Sequence, residues 1–259
     1  MAVESVRTAA AYGPGYRGVS APGEGVRRWL VNTPLLEHDH PKIRLQAARL
    51  TQLKLGERDK AVACFHFVRS LDFRCAYDPG HVTARQVLGE GAGDSHTKAT
   101  LMVSLLRALG IPARVRFVSL TPALLSGLVN AETGIGHAFT EVHLAGEWLG
   151  LDAYVVDREL QLAACARLVR EGRCCGYTVH LGGAADWDGA QSAFGHFNAR
   201  DPGSLPQRDF GTFDEVRRFQ QPIGNGGSQR WCYPALGAWR TVLINRRIKS
   251  LRCSTSIAA

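Results

Sequence analysis

The chain has 259 residues, of which 45% are hydrophobic and 21% charged, which is the composition of a globular protein with a sizeable core. No apolar run reaches the ~18 residues that a membrane span requires, so we expect no membrane partner. The net charge of +8 is compatible with an anionic partner, although the basic residues are spread along the chain rather than gathered in one run.

The N-terminal segment, residues 1–24, is rich in glycine, alanine and proline. Such segments at a chain terminus are commonly poorly ordered, and we expect the same here. Its first residues, MAVESVRTAAAYGPGYRG, lack the apolar stretch of a secretory signal, which favours a cytoplasmic protein. Residues 25–259 are expected to form a single domain.

Three helical segments are predicted before a glycine-rich turn. Apolar residues recur at helical spacing from Lys42 to Leu55 and again from about Asp59 to Ser70, and Thr83–Leu88 is a short helical piece. FRCAYDPGH, before the third segment, is typical of a short extended piece and a turn. The turn GAGD then leads into a long apolar-periodic helix that begins near Ser95 and ends at Gly110.

After this helix the hydrophobic period becomes that of strands. ARVRFVSL and HAFTEVHL alternate as half-buried strands do, and AGEWLGLDAYVVD adds a tight turn and a third strand, which should pair antiparallel. Residues 158–171 are predicted to be helical, 172–215 carry little periodicity, and WRTVLINRRIKSLR is typical of a solvated helix or strand face. The predicted fold class is α+β, with an N-terminal helical lobe and the helix from Ser95 packed on an antiparallel sheet.

The seven cysteines are an odd number without the spacing of a disulfide framework. Cys174 and Cys175 are adjacent, and no second pair completes a zinc pattern. The triplet HDH, from His38 to His40, offers metal-binding residue types, but side chains so close on an irregular segment make poor joint ligands. We therefore expect free thiols, as in a reducing compartment, and neither a metal nor another cofactor.

Ser95 lies where the glycine-rich turn enters its helix. The free N–H groups and the positive end of the helix dipole favour negative charge at this place. A nucleophile there would have a stabilised anion, and its own N–H could help to hold a carbonyl oxyanion. A plain helix cap, formed by Asp94 or Ser95, is the structural alternative.

Two later residues favour the nucleophile. His137 opens the second predicted strand, and Asp152 follows the third. Adjacent antiparallel strands can place a carboxylate beside an imidazole and fix its tautomer, while the other ring nitrogen faces the helix end. The order of the three residues therefore makes Ser95, His137 and Asp152 candidate catalytic residues, with His137 as the candidate base.

These motifs resemble those of the transglutaminase-like superfamily, relatives of papain-type thiol enzymes. The family's Gly-x-Cys-x-x-x-Ala-x-Leu, followed by Leu-Leu-Arg-Ala-x-Gly-Ile-Pro-Ala-Arg, is matched by GDSHTKATLMVSLLRALGIPAR. Its His-x-Trp-x-Glu-Val is matched by HAFTEV, with Phe139 for Trp, and its Trp-x-x-x-Asp is matched by WLGLD. A less specific similarity to bacterial members extends from about Leu35 to Arg252.

One position departs from the family pattern, because Ser95 stands where the family has its catalytic cysteine. A thiol would form a thiolate–imidazolium pair, whereas a hydroxyl needs the base during attack. The resemblance implies that His137 is the base and Asp152 the orienting acid, and it assigns Ser95 by position only. Three explanations are open: a native and active serine, a Cys-to-Ser substitution that removes activity, or a relative that has lost catalysis and kept a binding groove.

The neighbours of Ser95 complete the predicted site. Its backbone N–H is expected in the oxyanion hole, with Gln86 as the best side-chain candidate for a second donor and capping as the alternative role of Gln86. His96 is expected to point away from the site, and a role as proton carrier is its alternative. The resemblance implies an acyl-transfer enzyme whose substrate is a peptide, an amide or a carrier-bound acyl group. A non-catalytic module that binds peptides or acyl carriers is the second hypothesis, and a basic nucleic-acid binder is the third.

Overall fold

The computed structural model describes residues 12–13, 15–19, 25–220 and 238–256. Its helices are α1 (Pro41–Thr51), α2 (Glu57–Ser70), α3 (Ala84–Glu90), α4 (Ser95–Ala108), α5 (Arg158–Glu171), α6 (Val216–Gln220) and α7 (Ala238–Ser256). Its strands are β1 (Asp72–Phe73), β2 (Ala92–Gly93), β3 (Ala113–Leu120), β4 (Ile135–Leu144), β5 (Glu147–Leu151), β6 (Cys175–Gly176), β7 (Val179–His180) and β8 (Arg208–Phe213). Across these described ranges, no helix combines the length and the apolar character that crossing a membrane needs.

Helix α4 is at the centre of the molecule. Every residue from Ser95 to Arg107 is buried, as expected for a helix that is covered on all sides. Helices α1, α2 and α3 pack against it, and strands β3 and β4 cover another side. The predicted α+β fold, with a helical lobe and a central helix on an antiparallel sheet, is confirmed.

Strands β5, β4, β3 and β8 form one antiparallel sheet in that order. The first three are the strands that the alternating pattern predicts, and the register pairs Ala113 with Val142 and Thr140 with Leu151. Strand β8 was not predicted. It is at most half-buried and contains Gly211 at a φ of +89°, so its sequence lacks the alternation that would reveal a strand.

The first helix ends earlier than its periodicity indicates. Leu53 and Leu55 were included in the predicted helix, but they are 87% and 96% exposed. The chain turns after Thr51, and α2 begins directly after Gly56. Apolar spacing indicates which face of a helix is buried, but it does not indicate where the helix ends. The end of α1 is set by the turn that allows α2 to pack on its neighbours.

Strands β3, β4 and β5 are buried on both faces, which corrects the expectation of half-buried strands. One face packs on the main core, and the other carries a cluster of aromatic rings contributed by Tyr12, Tyr16, Phe139, Phe194 and Phe197. Two of these rings come from the segment 1–24, most of which lies outside the described residues. The predicted disorder of that segment and the domain boundary at residue 25 therefore stay predictions.

Beneath the aromatic cluster lies a buried group of charges. Glu141 of β4 is paired with Arg114 and Arg116 of β3, and Tyr16 donates its hydroxyl to the same carboxylate. Removing one partner of such a buried pair typically costs about 3–5 kcal/mol, because the other charge stays buried without compensation. The polar positions of these alternating strands thus form an internal polar layer rather than a solvated face.

Candidate active site

Asp94, and not Ser95, caps helix α4. The Asp94 carboxylate accepts hydrogen bonds from the backbone N–H groups of His96 (3.1 Å) and Thr97 (3.0 Å). The Thr97 hydroxyl in turn accepts from the Asp94 N–H at 2.8 Å, which completes a capping box. The side chain of Ser95, the first residue of the helix, is therefore left for other contacts.

The hydroxyl of Ser95 is buried next to the ring of His96. Ser95 Oγ lies 3.2 Å from His96 Nδ1, so the expectation that His96 points away from the site is wrong. The His96 ring packs against Phe117 of β3, with 5.5 Å between the ring centroids, and this contact directs it inward. Burial lowers the pKa of His96 below its usual value, although the charge of Asp94 acts in the opposite direction.

His137 and Asp152 form a buried hydrogen-bonded pair. The register of β4 and β5 pairs Thr140 with Leu151, which brings the residue after β5, Asp152, beside the start of β4. His137 Nε2 lies 2.9 Å from Asp152 Oδ2, and neither side chain is more than 4% exposed. Because an ionised carboxylate only accepts hydrogen bonds, Nε2 carries the proton of the neutral ring and Nδ1 holds the lone pair.

A second histidine, His196, shares the same carboxylate. His196 Nδ1 lies 3.0 Å from Asp152 Oδ2, and the Gly195 N–H donates to Oδ1. Burial by itself would raise the pKa of Asp152. The charge of His196 and the hydrogen bonds from both histidines outweigh burial and hold this pKa well below its usual range. Asp152 thus stays ionised and orients two imidazole rings.

His137 is neutral at physiological pH in this arrangement. Burial, reinforced by the neighbouring His196, lowers its pKa to about 4, while the hydrogen bond to Asp152 acts in the opposite direction. The centroids of the two histidine rings are 4.4 Å apart. A neutral imidazole whose Nε2–H is held by a carboxylate offers its Nδ1 lone pair as a base.

Ser95 and His137 line one small cavity of about 30 Å³, the volume that one water molecule occupies in the liquid. Cys75, Thr178 and His196 contribute the other polar or thiol side chains of its wall. The rest of the wall consists of Phe73, Leu124, Leu125, Ile135, Gly136 and Ile244. The structure therefore brings the three predicted catalytic residues together, because His137 contacts Asp152 and shares this cavity with Ser95.

Residues 45–153 match the family model of the transglutaminase-like superfamily. Over these residues, which are less than half of the chain, the protein is similar to that superfamily. The resemblance carried by the GDSHTKATL, HAFTEV and WLGLD motifs is thereby confirmed, since all three lie within the matched segment. The serine at position 95 remains the departure from that pattern.

Two solved structures are similar to the chain. One is a candidate cysteine protease from Cytophaga hutchinsonii, at 21% identity and a TM-score of 0.43, covering 55% of this chain and 47% of that one. The other is a candidate protease from Parabacteroides distasonis, at 22% identity and a TM-score of 0.35, covering 49% of this chain and 26% of that one. The chain thus spans about half the length of the first and about a quarter of the second. No curated protein matches the chain.

Gln86 does not line the cavity that Ser95 and His137 share. It is exposed on α3, where its Oε1 accepts from the Thr83 N–H at 2.8 Å and its own N–H donates to the Thr83 hydroxyl. This capping box fixes the side chain of Gln86 at the helix start. The structure therefore corrects the assignment of Gln86 to the oxyanion hole and supports the capping alternative.

Lys98 follows Ser95 by one helical turn and is fully buried. Burial lowers its pKa to about 7, although the nearby carboxylates, first of all Asp157, act in the opposite direction. Its Nζ donates to the Leu71 carbonyl oxygen at 2.6 Å and does not line the cavity. The lysine therefore supports the backbone before β1 and does not enter the cavity that Ser95 and His137 line.

Two residues of the HDH triplet, Asp39 and His40, make structural hydrogen bonds. His40 Nδ1 accepts from the Lys42 N–H at the start of α1, and the Asp39 carboxylate accepts from Asn32. Two other groups within the described ranges have potential metal-ligating atoms within 4.8 Å of one another: His137 with Asp152 and His196, and Cys174 with His180 and Asp201. In both groups, hydrogen bonds from histidine to carboxylate account for the close approach.

The predicted site omitted two residues, His196 and Thr178. Both come from 172–215, the region without periodicity, and reach the cavity only because long-range contacts place their segments there. The hydrogen bond from the Gly195 N–H to Asp152 fixes the segment of His196. The hydrogen bond from the Thr178 N–H to the Leu124 carbonyl oxygen fixes the segment of Thr178. In the sequence, only its residue type marked His196 as a candidate for the site, and nothing marked Thr178.

Proposed function

We propose that the protein is an acyl-transfer enzyme of transglutaminase-like type, acting on a peptide, an amide or a carrier-bound acyl group. The observation that carries this proposal is the buried His137–Asp152 pair beside Ser95 at the start of α4. A neutral His137, held by Asp152, has its Nδ1 lone pair available for a proton from position 95.

The reaction would proceed through an acyl-enzyme. Ser95 Oγ attacks the substrate carbonyl carbon while its proton passes to His137 Nδ1. The carbonyl electrons move onto the oxygen, which the Ser95 N–H and the positive end of the α4 dipole stabilise. The intermediate then collapses, and the leaving group departs with the proton from His137. Water or an amine attacks the acyl-enzyme in the second half of the cycle, and the same proton transfers regenerate Ser95.

The environment of His137 suits a hydroxyl nucleophile. Its pKa of about 4 keeps the imidazole neutral, and a serine needs a neutral base during attack. A cysteine at position 95 would instead favour a charged imidazole through the nearby thiolate. Both forms are compatible with the proposal, and the activities of the serine protein and of its Ser95→Cys variant distinguish a native serine from a replaced cysteine.

The test is covalent labelling of position 95. The protein and its Ser95→Cys variant are incubated with p-nitrophenyl acetate and with an acyl thioester, and the adduct is located by peptide mass spectrometry. We expect one acyl group on residue 95 in at least one of the two forms. Ser95→Ala is the matched control, and mapping is essential because the Cys174 and Cys253 thiols are exposed and can react on their own. Absence of label at position 95 in both forms would contradict the proposal.

A non-catalytic binding module is the second candidate. The contact between the Ser95 hydroxyl and His96, rather than His137, favours it, and so does the small volume of the cavity. Such a module would bind peptides or acyl carriers without turnover, and His137→Ala would leave its affinity unchanged. Acylation at position 95 that His137→Ala abolishes excludes this candidate.

A further inference from the structure

Thr178 has a buried hydroxyl without a hydrogen-bond partner. The residue is 4% exposed and lies in the turn between β6 and β7. Its Oγ1 is shielded from solvent and makes no hydrogen bond with any described residue. Buried polar groups are paired in the great majority of cases, because an unpaired one has lost its hydration without compensation. This hydroxyl therefore does not stabilise the fold, and its buried position needs another explanation.

The backbone at Thr178 is also in an unfavourable conformation. Tyr177 and Thr178 have φ angles of +52° and +66°, in the left-handed region that β-branched residues rarely adopt. Neighbouring contacts hold them there: the Tyr177 N–H donates to the Ser126 carbonyl oxygen at 2.9 Å, and the Thr178 N–H donates to that of Leu124 at 2.8 Å. Strain of this kind persists only where surrounding structure enforces it, and it concentrates at functional sites.

The cavity that Thr178 lines is the one that contains Ser95 and His137. Its other polar side chains already have described partners, since Ser95 contacts His96 and both His137 and His196 contact Asp152. Thr178 is therefore a residue with an unused hydroxyl in the wall of the cavity that Ser95 and His137 line. The largely apolar wall of the cavity would make a hydrogen bond from this donor strong.

We propose that the Thr178 hydroxyl donates a hydrogen bond to the carbonyl oxygen of the acyl substrate, as the second oxyanion donor beside the Ser95 N–H. This assignment rests on the proposed acyl-transfer function and replaces Gln86 in the role. No bond forms or breaks at Thr178. Its hydrogen bond strengthens as the carbonyl oxygen gains negative charge, so it stabilises the transition state more than the bound substrate.

The experiment compares three variants in the form that acylates, either the protein itself or Ser95→Cys. Thr178→Val keeps the shape and removes the hydroxyl, and Thr178→Ser keeps the hydroxyl. Thr51→Val is the matched control. Thr51 is a buried threonine at the end of α1 that does not line the cavity, and its hydroxyl donates a hydrogen bond to the Ala47 carbonyl oxygen at 2.8 Å. The readouts are the maximal acylation rate, the substrate concentration at half-maximal rate, and the melting temperature.

We expect Thr178→Val to lower the maximal acylation rate by about 10²–10³-fold, with little change in the half-maximal concentration. Its melting temperature should stay the same or rise, because the change removes an unpaired buried polar group. Thr178→Ser should keep most of the rate. Thr51→Val should show the opposite behaviour, with an unchanged rate and a lower melting temperature.

Three results would overturn the assignment. Thr178→Val could acylate at the original rate, could change only the half-maximal concentration, or could lose as much thermal stability as Thr51→Val, which would mean that the hydroxyl is paired within the folded protein. Failure of the proposed function itself looks different. In that case no form with Thr178 intact is acylated at position 95, and the role of Thr178 falls with it.

Discussion

Two histidine–aspartate pairs in this molecule have the same hydrogen-bond length. His137 Nε2 lies 2.9 Å from Asp152 Oδ2, and His180 Nε2 lies 2.9 Å from Asp201 Oδ2. The pairs differ in the use of the other ring nitrogen. His180 Nδ1 accepts from the Gly182 N–H at 3.0 Å, so its lone pair is already engaged.

Their surroundings differ as well. The carboxylate of Asp201 is 36% exposed, whereas that of Asp152 is fully buried and bonded to a second histidine. The pair of His137 shares its cavity with Ser95, whereas His180 lines a different cavity beside Arg158, the first residue of α5. The comparison teaches that hydrogen-bond length does not identify a base. The proposed role of His137 as a base rests instead on its buried position and on the cavity that it shares with Ser95.

The largest expected effect is the loss of acylation on removal of His137. His137→Ala should lower the rate of acylation at position 95 by about 10²–10⁴-fold, because no base takes the proton during attack. His180→Ala is the matched change in the other pair and should leave the rate within about twofold, since its ring does not line the cavity that holds Ser95. Stopped-flow acylation kinetics on both variants make this measurement. Equal losses would abolish the distinction between the pairs.

His96 is a competitor for the role of base, because it is the imidazole in contact with the Ser95 hydroxyl. We expect His96→Ala to lower the acylation rate less than His137→Ala, because the hydrogen bond to Asp152 orients the His137 ring and keeps its Nδ1 lone pair available. The same kinetics apply. A larger loss in His96→Ala would transfer the base role to His96.

The second effect is a shift of the pH profile on removal of His196. His137 accepts a proton only when neutral, so activity should fall as the pH drops through its pKa of about 4. His196 lowers that pKa, and His196→Ala should therefore move the acid limb to higher pH and reduce the plateau roughly tenfold through the lost hydrogen bond to Asp152.

His196→Asn, which retains a donor, should restore part of the plateau rate. The measurement is the acylation rate between pH 3.5 and 8 for the three proteins. A lower plateau with an unmoved acid limb would assign His196 a purely structural role.

The third effect concerns stability at acidic pH. The pKa of His137 is about 4 in the folded protein and about 6.5 in an unfolded chain, so the unfolded state binds the extra proton between these values. Stability should therefore decrease as the pH falls from about 6.5 to about 4. His137→Ala should make the melting temperature less dependent on pH over that range.

Asp201→Asn should leave the pH dependence of the melting temperature unchanged over that range. The hydrogen bond from His180 lowers the pKa of Asp201, so this carboxylate makes stability depend on pH only below about pH 4. Differential scanning calorimetry at several pH values measures both variants. If the melting temperature of His137→Ala still depended on pH as it does in the original protein, another group would titrate in this pH range.

The smallest effect is expected at Cys174. Its Sγ lies 3.7 Å from Asp201 Oδ2 at the protein surface, and Cys174→Ser should change the free energy of unfolding by no more than about 0.5 kcal/mol. Zn²⁺ should not raise the melting temperature, because the Gly182 N–H keeps the proton of the neutral ring on His180 Nε2, where a metal would bind. A zinc-dependent increase that disappears in Cys174→Ser would establish a metal site in this cluster instead.

The sequence was most informative where function and local structure share a pattern. The start of α4 follows from a glycine-rich turn before an apolar period, and β3, β4 and β5 follow from alternation, so Ser95, His137 and Asp152 could be placed in order on neighbouring elements. Antiparallel pairing then implied that the last two would meet.

The remaining site residues could not be found in this way. His196 and Thr178 lie in irregular segments whose positions depend on single long-range hydrogen bonds, which leave no periodic trace in the sequence. Gln86 was misassigned because a capping box uses the same polar residue types as an oxyanion hole. The inward turn of His96 depends on Phe117, a contact with another element of the fold.

The capping box at Asp94 has a consequence for how this scaffold tolerates change. Because the helix start is secured by the residue before it and by Thr97, position 95 contributes little to holding the helix in place. We therefore expect Ser95→Cys and Ser95→Ala to keep the fold nearly constant, so that each exchange alters the chemistry of this position alone. Under the proposed function, a single side chain would then separate thiol, hydroxyl and inert forms of the protein, while Asp94 and Thr97 hold the helix start unchanged.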